Sequence, residues 1–204
     1  YISWRDSMVW CNALTEWYNA EKGTSYECVY TYTGSIIRDS NDDTACDGAD
    51  ENQTAKGFRL LSSNEYECAA RYRDGTLWTY GDHASGDDSG ACYNDGDILG
   101  GLGMSTVFGN YAWYDDNSGN STHVVGTAGN DGGAARTGNS NALGLYDMSG
   151  NVWEWCFTES DDERINRGGS WAGLADFLQI GHWSSNSPVY NPIDLGFRVC
   201  RTAD

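Results

Sequence analysis

The amino-acid sequence predicts one α+β domain over residues 1–204, because three kinds of segment follow one another along the chain. Two segments near the amino terminus carry apolar side chains at helical spacing. Short apolar runs near the carboxyl terminus, VWEWCF and LGFRVC, are typical of buried strands. Long polar stretches separate these elements. No internal repeat and no linker divides the chain.

The first predicted helix covers residues 3–19, SWRDSMVWCNALTEWYN. Ser3 and Asp6 have the spacing of a capping box, in which each side chain binds the backbone N–H of the other residue. The apolar side chains that recur at helical spacing are Trp4, Met8, Cys11, Leu14 and Tyr18.

The second predicted helix lies in FRLLSSNEYECAARYR. Ser62 is the expected N-cap, and Glu65 follows three residues later, as a helix start requires. Tyr66, Ala69 and Ala70 form a short apolar face. The sequence predicts these two helices and no others.

Three polar stretches, rich in Gly, Asp, Asn and Ser, are longer than ordinary connections. They cover residues 39–56, 81–101 and 117–141. Such stretches are either functional or fastened by side chains or a metal ion. The alternative is that they are solvated loops on a domain with little regular structure.

The charge of the chain excludes some classes of partner. The formal net charge is −18, which opposes electrostatic binding to nucleic acid or to an anionic membrane surface. No apolar run is long enough to span a bilayer. We therefore expect no nucleic-acid partner and no direct insertion into a membrane.

The chain has 7 cysteines and no CxxC pair, so the cysteines cannot all pair with one another. Cys11 and Cys68 fall within the predicted helices, where buried thiols are expected. Cys28, Cys46 and Cys92 lie in polar segments, where disulfides could form in an oxidising compartment. The sequence leaves their connectivity open.

Residues 142–155, ALGLYDMSGNVWEW, resemble a specific motif of the formylglycine-generating enzyme, or sulfatase-modifying factor, family. Four further blocks resemble the same family in the same order: FRLLSSNEYECAAR, NYAWYDDNSGNSTHVVG, RINRGGSW and LGFRVCR. The resemblance covers nearly the whole chain. It implies a C-type-lectin-like fold with two helices, short twisted strands and abundant irregular loops.

The enzymes of this family oxidise a substrate cysteine with two cysteines placed shortly after the Arg-Gly-Gly-Ser block. Those two places hold Gly173 and Leu178 here, so neither supplies a thiolate or a copper ligand. A related branch uses a non-haem iron site, but His83, His123 and His182 lack metal-ligand spacing. We therefore assign no catalytic residue and no catalytic cofactor, and we expect a protein that is not an enzyme.

The resemblance also implies a structural calcium ion. The family holds calcium in an Asn-x-x-Gly-x-x-x-Glu segment, which corresponds to Asp147, Gly150, Val152 and Glu154 here. Two carboxylates and two backbone carbonyls are a set of oxygen ligands that suits Ca²⁺. The alternative is that Asp147 caps a turn and Glu154 pairs with an arginine such as Arg198.

Residues 172–194 align without a gap to one branch of the family, the variable proteins of diversity-generating retroelements. In this branch a reverse transcriptase alters the adenines of a template repeat, so that asparagine codons change while the codons between them stay fixed. The resemblance implies a variable region at residues 164–201. The residues it implies to be fixed are Arg167, Gly168, Gly169, Ser170, Trp171, Ala175, Gly181, Pro188 and residues 195–198. The variable, ligand-binding residues it implies are Ala172, Gly173, Leu174, Asp176, Phe177, His182, Trp183, Ser184, Ser185, Ser187, Val189, Tyr190, Asn191, Ile193 and Asp194.

Variable side chains must be exposed, because random substitution in a core would cost about 1–5 kcal/mol at each position. Leu178 and Ile180 are expected to point inward. The larger variable residues would then form an apolar patch rimmed by Ser, Asp and His. Aromatic anchors with an adaptable polar rim are typical of surfaces that bind proteins.

We therefore expect a ligand-binding display protein that is a monomer, with an unidentified protein or other surface ligand as its partner. The resemblance implies a location outside the cell or at its surface, with a lipid anchor on a segment that precedes residue 1. Three alternatives stay open. The chain could be a formylglycine-generating or iron-dependent oxidase with relocated catalytic residues, a structural accessory domain without chemistry, or a domain in which 172–194 is ordinary core.

Overall fold

The structure is a computed structural model that describes residues 1–77, 83–87, 89, 105, 107–130 and 133–203. These residues form an α+β fold. The helices are α1 (Trp4–Lys22), α2 (Asp43–Asp47), α3 (Ser63–Arg71) and α4 (Asp115–Ser118), and 3-10 turns cover Phe108–Asn110 and Ala175–Leu178. The strands are β1 (Tyr30–Tyr32), β2 (Ser35–Ile36), β3 (Asp50–Glu51), β4 (Phe58–Leu60), β5 (Trp153–Ser160), β6 (Glu163–Arg167), β7 (Trp183–Asn186), β8 (Leu195–Phe197) and β9 (Val199–Arg201).

The described strands form three small sheets, with the strand orders β2-β1-β3, β4-β9 and β7-β6-β5-β8. Strand β1 is antiparallel to both of its neighbours, with Thr31 opposite Ile36 and Asp50. Strands β4 and β9 are also antiparallel, with Arg59 opposite Cys200.

The chain forms two compact units. The first comprises Tyr1–Ser62, Trp155–Ile165 and Ser185–Asp204, and the second comprises Ser63–Glu154 and Asn166–Ser184.

In the first unit, α1 begins at the capping box that the sequence predicts. The Ser3 N–H donates to Asp6 Oδ2 at 3.0 Å, and the Asp6 N–H donates to Ser3 Oγ at 3.1 Å. The helix continues three residues beyond the predicted Asn19 because Ala, Glu and Lys are good helix formers. It ends at Gly23, whose left-handed φ of 66° and N–H bond to the Asn19 carbonyl make a C-cap.

The buried face of α1 packs on an aromatic core. The Trp4 and Tyr30 rings lie 5.5 and 4.9 Å from the Phe157 ring, centroid to centroid. The Trp4 indole N–H donates to the Cys156 carbonyl at 3.0 Å. Met8 and Cys11 are buried on the same face.

In the second unit, α3 begins at Ser63, directly after the expected N-cap Ser62. Its buried residues include Tyr66 and Ala70, and the Tyr66 hydroxyl donates to the Met148 carbonyl at 3.0 Å. Much of the described part of this unit is irregular and is fastened by side chains. Asn141, for example, donates to the Ala69 carbonyl at 2.9 Å.

The structure corrects several expectations about the cysteines. Cys68 is exposed rather than buried, because it lies two residues from both Tyr66 and Ala70 and so faces the opposite side of α3. Cys28 and Cys46 are free thiols. Cys92 lies outside the described residues.

The polar stretches and the strands also differ from expectation in part. The short helices α2 and α4 were not predicted; α2 begins where the Asp42 side chain accepts from the Ala45 N–H at 3.0 Å. Most of residues 81–101 lies outside the described residues. VWEWCF forms part of β5, with Trp155 and Cys156 buried. LGFRVC forms two strands, β8 and β9, and of its residues only Leu195 is buried.

Candidate functional site

The Arg-Gly-Gly-Ser block makes a backbone corner that only glycine can form. Gly168 and Gly169 have left-handed φ values of 93° and 73°. A Cβ atom on Gly168 would lie 2.6 Å from the Tyr66 hydroxyl, and one on Gly169 would lie 2.6 Å from Leu178 Cδ1. The Gly150 N–H donates to the Gly168 carbonyl at 2.7 Å, which fixes the corner in the second unit.

Arg167 is buried beside this corner, and all three nitrogen atoms of its guanidinium group donate hydrogen bonds. Nε donates to Ser63 Oγ at 2.9 Å, and Nη2 donates to Glu67 Oε2 at 2.8 Å. Nη1 lies 3.2–3.4 Å from the three carbonyl oxygens of residues 180–182. Partial burial opposes ionisation of Glu67, but hydrogen bonds and charge from Arg71 and Arg167 outweigh it and hold the pKa of Glu67 below its ordinary value.

The two places that correspond to the family's catalytic cysteines are neighbours and are filled by apolar packing. A Cβ atom on Gly173 would lie 3.4 Å from Leu178 Cδ1. Leu178 is fully buried in a cluster with Ala84, Phe108, Ala112 and Tyr114. This position therefore supports the core and presents no reactive group.

Three of the described thiols elsewhere are buried and poorly nucleophilic. Burial raises the pKa of Cys11, and it raises the pKa of both Cys28 and Cys46 to about 11. These thiols are therefore protonated at neutral pH, and a protonated thiol is a poor nucleophile. Cys200 is half-buried, with its Sγ 3.7 Å from the Leu60 carbonyl.

None of the predicted variable residues is buried. The six large apolar ones, Leu174, Phe177, Trp183, Val189, Tyr190 and Ile193, have exposed fractions between 39% and 58%. Leu178 and Ile180 are buried, as the sequence predicts. Phe177 and Leu178 are adjacent in the second unit but differ in exposure. Both lie in the 3-10 turn Ala175–Leu178, which directs Phe177 outward and Leu178 into the core.

His182 lies against two aromatic rings in the second unit. Its ring centroid is 5.2 Å from that of Phe177, edge to face, and 5.9 Å from that of Trp153. Burial lowers the pKa of His182 and the charge of Arg167 adds to this, while Asp176 opposes it. The imidazole is therefore favoured in its neutral form.

In the first unit, residues 185–194 carry the remaining predicted variable positions, and we call them the variable segment. This segment is held at two places. The Ser185 hydroxyl donates to Glu163 Oε2 at 2.5 Å. The Pro188 carbonyl accepts from the Arg5 N–H at 3.5 Å. Val189, Tyr190 and Ile193 follow with exposed side chains.

The predicted calcium segment contains buried oxygen atoms of the kind that Ca²⁺ prefers. Asp147 has a left-handed φ of 53°, and its Oδ2 accepts from the Gly126 N–H at 2.9 Å and from Asn151 Nδ2 at 3.2 Å. Glu154 is also buried.

Among the described residues, no group of three or more His, Cys, Asp or Glu side chains could hold a metal ion. The two carboxylates fit the ion only together with backbone carbonyls, as the prediction for Gly150 and Val152 requires. The Gly150 carbonyl already accepts from the Val152 N–H at 2.9 Å. Calcium at this segment stays a prediction.

Comparison with known families decides what this fold is. The model of the sulfatase-modifying factor enzyme 1-like domain family matches residues 1–203. The chain belongs to this family. Within the residues that the structure describes, no helix has the length and apolar character needed to cross a membrane.

Three similar proteins show what the chain resembles. The solved structure of Treponema denticola variable protein 1 is similar at a TM-score of 0.67 and 28% identity, covering 98% of this chain and 70% of that one. The chaperone protein LppX of Paenibacillus barcinonensis is 27% identical over 216 residues, 98% of this chain and 68% of LppX. Inactive C-alpha-formylglycine-generating enzyme 2 of Mus musculus is 36% identical over 72 residues, 31% of this chain and 23% of the mouse protein.

These similarities agree with the packing at Gly173 and Leu178. A family member named as a variable protein and another named as inactive are both consistent with a family domain that is not an enzyme. Two features of the structure were not predicted from the sequence. The Arg167–Glu67 pair joins residues 100 positions apart, and no local pattern indicates it. Trp10 and Trp17 interrupt the polar face of α1, which was a visible signal.

Proposed function

We propose that this protein displays a ligand-binding surface on the sulfatase-modifying factor fold, with the predicted variable residues as its contacting side chains. The observation that supports the proposal is the division of residues 172–195. Every predicted variable residue is at least partly exposed, whereas Leu178, Ile180 and Leu195 are buried.

Exposed and buried positions of this segment differ in how much a substitution costs. Substitutions at exposed positions away from caps and buried networks change stability by about 0.5 kcal/mol or less. Buried positions in the same segment would lose several times that amount. The segment therefore tolerates many side chains at the exposed positions without loss of the fold.

The composition of the exposed positions favours a protein ligand. Phe177, Trp183 and Tyr190 are aromatic residues of the kind that contribute most to protein–protein affinity. The smaller Ser and Asn residues among them supply adaptable hydrogen bonds. Diversification by a retroelement, a monomeric state and a location outside the cell, with a lipid anchor on a further segment, are parts of the same proposal.

The experiment that tests the proposal is deep sequencing of the coding region in many clones. We expect substitutions to concentrate at the predicted variable codons and to spare Leu178, Ile180 and Leu195. A near-copy of the 164–201 segment with adenines at these codons, beside a reverse transcriptase gene, would add support. Substitutions spread evenly along the gene would contradict the proposal.

Enzyme activity is the competing function that can be measured directly. The chain would be incubated aerobically with a cysteine-containing sulfatase peptide, with and without added copper. We expect no aldehyde product, because the positions of the catalytic thiols hold Gly173 and Leu178. Turnover that disappears in Cys156→Ser or Cys200→Ser would establish relocated catalytic residues.

A further inference from the structure

Helix α1 in the first unit carries an apolar stripe on the face opposite to its buried one. Trp10 and Trp17 are 46% and 56% exposed. They lie seven residues apart, which is about two turns and about 10 Å along the axis, so they occupy the same face. Ala13 is exposed and Leu14 is half-buried between them. We call Trp10, Ala13, Leu14 and Trp17 the anchor face.

The variable segment of the first unit is attached to the same helix. The Pro188 carbonyl accepts from the Arg5 N–H at 3.5 Å. The Phe197 ring packs edge to face on Trp10, with centroids 5.3 Å apart at an angle of 71°. Residues 188–197 are therefore held to α1 at both ends. The exposed side chains of Val189, Tyr190 and Ile193 lie between these two contacts in the sequence.

The size of a protein interface leaves room for fixed residues beside the variable ones. A stable interface uses about 20–30 residues on each side and buries about 800 Å² per partner. The variable positions of the first unit are Ser185, Ser187, Val189, Tyr190, Asn191, Ile193 and Asp194, and only three of these are large and apolar. Exposed Trp is the side chain most enriched among residues that dominate binding energy.

Charge indicates the chemistry of the partner. The chain has a formal net charge of −18. Two arginines of the first unit are already paired, Arg5 with Asp47 at 2.6 Å and Arg38 with Glu16 at 2.5 Å. The first unit as a whole has 16 Asp and Glu residues against 8 Lys and Arg residues, and this excess of negative charge favours a partner with a basic rim.

From these observations we infer that the ligand-binding surface of the first unit extends from the variable segment onto the anchor face. Trp10 and Trp17 are fixed aromatic anchors there, used whatever residues stand at the variable positions. The occupant is a protein ligand with an apolar centre and a basic rim. This inference rests on the proposed function.

The test uses a phage library of random cyclic peptides, selected on the full chain. The affinity of each recovered peptide is measured by biolayer interferometry against the wild type and three variants. Trp17→Ser removes an anchor, Tyr190→Ser removes a variable contact, and Val124→Ser is a matched control, 58% exposed in the second unit. Circular dichroism establishes that each variant is folded.

We expect peptides rich in Lys and Arg that lose affinity about tenfold or more in both Trp17→Ser and Tyr190→Ser. The control should change affinity about twofold or less, as surface positions outside an interface do. Loss in Tyr190→Ser alone would overturn the extension and leave the proposed function standing. Loss in Trp17→Ser alone would make the anchor face a separate site and overturn the extension as well.

Peptides that are insensitive to both variants would contradict the extension and the proposed function together. Sedimentation gives an independent outcome. A wild-type dimer that becomes a monomer in Trp17→Ser would identify the anchor face as a self-association surface, and the inference would be wrong.

Discussion

Leu178 and Phe177 are adjacent residues with opposite roles, and truncating each to alanine measures that difference. Leu178 is fully buried among Ala84, Phe108, Ala112 and Tyr114. Truncation of a buried leucine costs about 2–5 kcal/mol, the sum of lost transfer free energy and a cavity. We expect Leu178→Ala to lie near the upper end, because the Gly169 corner packs directly on Leu178 Cδ1.

Phe177→Ala should cost about 1 kcal/mol, because the ring is partly solvated and its one described ring contact is the edge-to-face pair with His182. Urea unfolding followed by tryptophan fluorescence separates the two variants. With a slope of about 2 kcal/mol/M, a loss of about 4–5 kcal/mol in Leu178→Ala lowers the midpoint by about 2–2.5 M, and a loss of about 1 kcal/mol in Phe177→Ala lowers it by about 0.5 M. If Phe177→Ala lowered the midpoint as much as Leu178→Ala, Phe177 would be a core residue and the display surface would be refuted.

Three further predictions concern the same unit. Ca²⁺ added to the EDTA-treated chain should stabilise the fold by about 2.7 kcal/mol at a hundredfold excess over Kd, which is measured as a rise in the melting temperature. Asp147→Ala should abolish this rise, and an equal rise in the variant would contradict the site. Because burial lowers the pKa of His182 from 6.5, the neutral form is favoured in the fold, so stability is full above that pH and falls as the pH drops through the lowered value. His182→Gln should lack this component of the pH profile in urea titrations, and identical profiles would exclude it. Arg167→Lys should cost at least about 2 kcal/mol, because one ammonium group cannot replace the bonds to Ser63, Glu67 and three carbonyls; an unchanged urea midpoint would show that those bonds contribute nothing.

Local signals predicted much of the fold. The Ser3–Asp6 capping box and the helical spacing of Trp4, Met8 and Cys11 act within one or two turns, and the structure contains both. The pairing of LGFRVC could not be predicted in the same way. Its apolar content indicates a strand, but it does not indicate that the segment forms two strands or which strand each of them pairs with. The chain leaves one sheet after Phe197 and enters another at Val199, where β9 pairs with β4. That choice depends on residues more than 130 positions away.

The resemblance led to the prediction that Phe177 is exposed and that Leu178 points inward, although both are large and apolar, and the structure shows that exposure. The supports of the site could not be predicted. Ser63 and Glu67 bind Arg167 because they are four residues apart on α3 and so share a face. Nothing in the sequence places that face beside residue 167.

The bonds that Nη1 of Arg167 makes to residues 180–182 end on main-chain oxygen atoms. Ser149 Oγ likewise donates to the Leu178 carbonyl at 2.8 Å, and the Asp115 N–H donates to the Gly173 carbonyl at 3.0 Å. Every residue type has a carbonyl, so exchanging the side chain at 173 or 182 removes none of these bonds. Under the proposed function, conformation and specificity would therefore depend on different atoms of the same residues: the peptide groups fix the path of the loop, and the side chains can vary.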